Sequence, residues 1–246
     1  NFAERHGPPP GRGAAIVGMG SLGAGTLAAA SDLDLIVIFD PDGVETSGGP
    51  RPLAAPTYYA RLTQAFVTAL SAPTAEGRLY EVDMRLRPSG RQGPVATSLS
   101  SFTRYQSEDA WTWEHLALTR ARPVAGEERL MGEIEAFRRH VIEEPRDRAK
   151  MLADVADMRA RLAEAKPGGG GLEMKAGPGR MTDLELFASA AALLSGSHAR
   201  SARRQLRAGA EAIGLSAETA ATLGRLHHRL AAIRQALVLI GEPPRP

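Results

Sequence analysis

The chain has 246 residues, 43% of them hydrophobic, enough for one large or two small domains with a core, so general disorder is excluded. Its 30 Lys and Arg nearly balance 28 Asp and Glu; a net charge of +2 announces neither nucleic acid nor membrane as a partner. No cysteine is present, which removes disulfide scaffolds, thiolate metal sites and cysteine nucleophiles together.

No apolar run reaches the roughly 18 residues of a membrane span. The start, Asn1-Phe2-Ala3-Glu4-Arg5, carries neither Met nor a signal core. The expectation is a soluble, cytoplasmic protein, and a piece of a longer one.

After a Gly/Pro-rich lead, Ala14-Ala15-Ile16-Val17 is a short apolar run between glycines and predicts a buried strand. The turn Gly18-Met19-Gly20-Ser21-Leu22-Gly23 follows. Asp32 to Asp40 begins with acid/apolar alternation and becomes apolar throughout, predicting a second strand exposed only at its beginning. Tyr59, Leu62, Phe66 and Leu70 carry helical spacing over 58–70. Leu79 to Arg87 alternates strictly, placing Glu81, Asp83, Arg85 and Arg87 on one face of a third strand that Pro88 stops.

Beyond Thr97 the period becomes helical, with helices expected near 99–107, 111–120, 128–142, 147–165, 181–195, 199–213 and 217–240, and a flexible loop at Gly168 to Gly171. The fold class expected is α+β: a strand-bearing domain over 1–125 and a helical domain over 126–246.

Gly18-x-Gly20-x-x-Gly23 after a strand, with Asp40 closing the next, formally matches a dinucleotide-binding turn. Only Ala24 to Ser31 is available for the crossover helix, fewer residues than a parallel connection takes. The competing reading starts from Asp32 and Asp34. Acids at i and i+2 of a strand point the same way, about 6.5–7 Å apart, and two carboxylates so placed suit a hard divalent cation. Asp83 offers a third. Backbone N–H groups of the Gly20-Ser21 turn are donors for a phosphate.

A Gly-Ser turn, an Asp-x-Asp strand and a later Asp resemble the polymerase-β-like nucleotidyltransferases. Gly18 to Gly23, Ser31-Asp32-Leu33-Asp34-Leu35 and Tyr80 to Gly90 are more narrowly similar to the glutamine synthetase adenylyltransferase (glutamate-ammonia-ligase adenylyltransferase) family. Glu81-Val82-Asp83 and Ala110 to Arg122 resemble its C-terminal, AMP-attaching domain. Ser21 stands where the family usually has Lys, Ala24-Gly25-Thr26-Leu27 where it has Gly-Gly-x-Glu, and Gly179 to Phe187 resembles its Gly-Gly-x-x-Asp-x-Glu-Phe element.

The resemblance implies transfer of AMP from ATP to a tyrosine of glutamine synthetase. Asp32, Asp34 and Asp83 would be catalytic and would hold Mg²⁺ or Mn²⁺. Gly20, Ser21, Gly23, Arg85, Arg87 and Lys175 would bind nucleotide, and a PII-type signal protein is a further implied partner. Phosphorolytic removal of AMP, or a weakly active regulatory nucleotide-binding domain, are the alternatives. Trp111 and Trp113 are expected in core or junction packing, His115 as structural, His227 and His228 on the surface, and Arg200, Arg203, Arg204 and Arg207 on a solvated helix face.

Overall fold

The computed structural model describes residues 2–29, 31–75, 77, 80–165 and 173–241. The expected loop at Gly168 to Gly171 and the first residue of the third predicted strand, Leu79, lie outside the described residues. The chain is a mixed α+β protein that divides into two compact units, one of Asn1–Ala24, Ala30–Ala110 and Ala121–Arg138, the other of Gly25–Ala29, Trp111–Arg120 and Arg139–Pro246. Among the described residues no helix is long and apolar enough to cross a membrane.

The first unit is built on a small open sheet of β1 (Gly13–Gly18), β2 (Leu33–Asp40), β3 (Val82–Asp83), β4 (Ala96–Ser98) and β5 (Arg122–Gly126). Its main order is β3-β2-β1-β5, with β4 also paired to β2. β1 runs antiparallel to β2 and to β5, whereas β3 and β4 run parallel to β2. Antiparallel β1 and β2 are incompatible with a dinucleotide-binding βαβ unit, which needs parallel strands.

β2 is interior from Leu35 to Phe39, as its apolar run requires. Its side chains alternate between two layers. Leu33, Leu35, Val37 and Phe39 face one way and pack with Tyr58, Tyr59, Leu62 and Phe66 of helix α3 (Ala55–Ser71). Tyr59 stacks on Phe39 with ring centroids 4.4 Å apart. Asp34, Ile36 and Ile38 take the opposite face. Helices α1 (Phe2–His6), α2 (Gly20–Ala24) and α4 (Leu99–Glu108) also belong to this unit.

The third strand is much shorter than its alternation predicts, only Val82–Asp83. Asp83 Oδ1 accepts the Arg85 N–H at 2.8 Å, a local turn that removes the backbone donor from any ladder. Arg85 and Arg87 therefore do not share a strand face with Asp83. β5 is not among the strands expected from the sequence; Pro123 sits inside it, which the sheet tolerates because β5 is an edge, and the register with β1 slips there, skipping Val124.

The second unit contains α5 (Thr112–Leu118), α7 (Arg148–Ala165), α8 (Met181–Ser195), α9 (Ala202–Gly209), α10 (Ala217–Leu239) and the second part of α6 (Glu128–Glu143). These helices follow the expected spans closely. α8 has apolar residues on both sides: Ala190 and Leu193 pack with Leu116, Ile142, Met151 and Val155, while Ala188 and Ala191 pack with Ala202, Leu206, Ile213 and Ala220. Gly209 is required where α9 meets α8, since a Cβ there would collide with the Ala191 carbonyl.

Trp111 and Trp113 are 71% and 37% exposed, not packed as expected. Trp111 caps and Trp113 sits on the first turn of a short helix whose inward positions are taken by Glu114, His115 and Leu116. His227 is likewise not a surface residue; its Nε2 lies 3.2 Å from Glu185 Oε1, and Glu185 also pairs with Arg120 Nη1 at 2.9 Å.

Candidate active site

Three features of the sequence meet at one end of β2. Met19 N–H donates to the Asp34 carbonyl at 2.8 Å, which folds the glycine turn back over that strand end. Gly20 follows with φ +49°, and a Cβ at this position would collide with Asp34 Oδ2. The turn therefore lies directly against the Asp34 carboxylate, an approach that only glycine permits.

Asp83 completes the juxtaposition. In the parallel β2/β3 pair Leu33 opposes Val82 and Asp34 opposes Asp83. Partners on neighbouring strands are about 4.8 Å apart and project from the same face. Leu33 and Val82 belong to the layer beneath α3, so Asp34 and Asp83 emerge together on the other face. The Leu33 N–H donates to the Glu81 carbonyl at 2.7 Å and extends the pairing toward Asp32. Asp32 precedes the strand and is exposed.

Arg85 closes over this group. Its Nε donates to Asp83 Oδ2 at 2.7 Å and its Nη2 reaches the same oxygen. Burial pushes the Asp83 carboxyl up, but the side-chain and backbone hydrogen bonds from Arg85 outweigh it and leave the group below the usual carboxylate range. Arg85 in turn holds its proton more firmly, through its hydrogen bond to Asp83 first and the charges of Asp83, Asp34 and Asp32 besides, against a smaller opposing effect of burial.

Other predicted residues serve differently. Gly23 uses its backbone internally: its N–H donates to Met19 O at 2.8 Å, and its carbonyl accepts Arg122 Nε at 2.9 Å. Arg87 is a loop staple, donating from Nη1 to Met84 O at 2.8 Å, from Nε to Gly93 O at 3.1 Å and from Nη2 to Arg91 O at 3.2 Å. Ser21 is half-buried on the first turn of α2, and Lys175 is an exposed residue of the second unit. Arg122 and Arg91 were not singled out from the sequence. Arg91 adds its field to Asp83, and only the folded loop reveals it.

The acidic side chains offer oxygen donors, the chemistry of a Mg²⁺ or Mn²⁺ site, and Gly20 places no Cβ against Asp34 Oδ2. Among the described residues no three acidic or histidine side chains already stand in an ion-holding arrangement. Asp83 is engaged by Arg85 instead.

Residues 3–136 match the glutamate-ammonia ligase adenylyltransferase family. The chain belongs to that family. Among its relatives are bifunctional glutamine synthetase adenylyltransferase/adenylyl-removing enzymes. That of Mesorhizobium japonicum is 49% identical over 193 residues, 78% of this chain and 20% of the relative. That of Brucella suis is 51% identical over 191 residues, 77% and 19%. That of Stenotrophomonas maltophilia is 46% identical over 201 residues, 80% and 21%. The chain thus spans about a fifth of the length of the curated relatives it matches. Within the family match fall the glycine turn, Asp32, Asp34, Asp83 and Arg85.

Proposed function

We propose that this chain is a polymerase-β-like nucleotidyltransferase domain that transfers AMP from ATP to a tyrosine hydroxyl of glutamine synthetase. The observation that carries this is the pairing of Asp34 with Asp83 beside the Gly20 turn. Membership of the family supports the substrate.

In the reaction the tyrosine oxygen forms a bond to the α-phosphorus of ATP while the bond from that phosphorus to the bridging oxygen breaks, and pyrophosphate leaves. Asp32, Asp34 and Asp83 would hold the divalent ions, Mg²⁺ or Mn²⁺, which when bound neutralise triphosphate charge and lower the pKa of the attacking hydroxyl. The nucleophile's proton goes to Asp83. Backbone N–H groups of the Gly20-Ser21 turn, and the Ser21 hydroxyl, bind the phosphates. The Arg85 fork meets the charge that grows on the phosphoryl oxygens. The second unit orients the protein substrate, and a PII-type signal protein is a regulatory partner in this reading.

The relatives are named for adenylyl removal as well as attachment. In that second reading inorganic phosphate attacks the phosphorus of tyrosyl-AMP, forming ADP, and the tyrosine oxygen departs with the proton that the attacking phosphate gives up.

Intact mass of glutamine synthetase subunits, after incubation with the full chain, ATP and Mg²⁺, tests the first reading. An added AMP that disappears with Asp32→Asn/Asp34→Asn is expected. Absence of the adduct, with AMP lost from adenylylated synthetase in the presence of phosphate, overturns attachment in favour of removal.

A further inference from the structure

Asp83 does not present open oxygens to the other carboxylates. Its Oδ2 carries the Arg85 guanidinium and its Oδ1 carries the Arg85 N–H. The same guanidinium lies within the fields of Asp34 and Asp32. The Arg85 guanidinium thus answers Asp83, which stands opposite Asp34 in the β2/β3 pair.

The two partners are unequally anchored. The Asp83 side chain is 14% exposed and rooted in the β2/β3 pair, whereas that of Arg85 is 60% exposed on the turn beyond it. An exposed pair of this kind is screened and weak, so Arg85 is the partner that yields to a stronger cation. A divalent cation on the Asp83 carboxylate competes with the guanidinium for the same negative charge.

We propose that Arg85 is the built-in counter-ion of the Asp32, Asp34 and Asp83 group, and that a divalent cation binds by taking Asp83 from it. The inference rests on the reading of these carboxylates as the ion-holding set. Its consequence is a competition: an ion on Asp83 loosens the Arg85 pair, and the released guanidinium becomes available to a polyphosphate. Ion and nucleotide then favour each other's binding, because each takes one end of a broken pair.

The test is Mn²⁺ binding to the full chain without nucleotide, with free Mn²⁺ counted by electron paramagnetic resonance. Arg85→Gln is expected to tighten Mn²⁺ about tenfold, the effect of removing a neighbouring competing charge. Arg85→Lys, which keeps the charge without the fork, is expected to fall between it and the unsubstituted chain, and circular dichroism checks that each variant folds. Unchanged or weaker Mn²⁺ binding in folded Arg85→Gln, with Asp34→Asn abolishing binding, overturns the counter-ion role and leaves the carboxylate reading intact. Absence of Mn²⁺ binding in both the unsubstituted chain and Arg85→Gln overturns both.

Discussion

Asp34 and Asp83 stand opposite each other in the parallel β2/β3 pair, and the Cβ-free Gly20 lies against the first of them. Two carboxylates side by side at a strand end destabilise the sheet unless a cation answers them, and acids have low preference for strands. Asp34→Asn or Asp83→Asn removes one negative charge with almost no change of shape. Each is expected to lower the rate of AMP incorporation into glutamine synthetase by about 10² or more; the melting temperature stays level or rises with Asp34→Asn and falls with Asp83→Asn, whose charge answers Arg85. A rate within a few-fold of the unsubstituted chain would remove that carboxylate from the chemistry.

Gly20 gives a second prediction from the same contact. At φ +49° any L side chain adds strain of about 1–2 kcal/mol, and its Cβ would drive into Asp34 Oδ2. Gly20→Ala is expected to cost more activity than its loss of stability explains, because relief of the clash moves the Asp34 carboxylate. Thermal unfolding and AMP-transfer rate measured on one preparation separate the two effects.

Much of this site was legible in the sequence, and the exceptions have local causes. The apolar run from Leu35 to Phe39 is a strong signal, and Tyr59, Leu62 and Phe66 mark the helix that covers the sheet; of the i, i+2 acids only Asp34 is on the strand, because β2 begins at Leu33 and leaves Asp32 ahead of it. The alternation through Arg87 is misleading because the Asp83 side chain captures the Arg85 N–H and turns the chain, so Arg85 reaches back to the carboxylate and Arg87 staples the loop. Direction of strand pairing has no local signature at all. The short connection from Gly23 to Asp32 hinted that β1 and β2 are not a parallel crossover pair, and their antiparallel register bears this out. The exposed Trp111 and the inward His227 depend on which helix face finds neighbours, which spacing alone does not decide.

The second unit carries a pH dependence of its own. Burial pushes Glu185 up, but the charge of Arg120 and the hydrogen bonds from His227 and Arg120 overcome it and bring the carboxyl to about 2. The folded value is depressed, so this group's stabilisation is present above the ordinary glutamate range, near 4.3, and is lost as pH falls from there toward 2. The linked contribution is on the order of 3 kcal/mol. Glu185→Gln is expected to lower stability at pH 7 and to flatten the stability profile between pH 4 and 2, measured by urea unfolding across that window. A variant with an unaltered acid limb would show that Glu185 does not couple folding to pH.

α8 and α9 meet closely at Gly209. Gly209 lets the two helices approach until Ala191 O occupies the space of a missing Cβ, and Leu206, fully buried, fills the layer one turn earlier. Gly209→Ala must push the backbones apart, an overpacking cost of about 1–3 kcal/mol that the higher helix propensity of Ala offsets only in part. Leu206→Ala leaves a cavity instead and is expected to cost about 2–5 kcal/mol. Because Gly209→Ala adds volume where Leu206→Ala removes it, the double variant is expected to recover part of the summed loss, a coupling that equilibrium denaturation of all four proteins reads directly. Strict additivity of the two losses would mean that α8 and α9 yield independently at these positions.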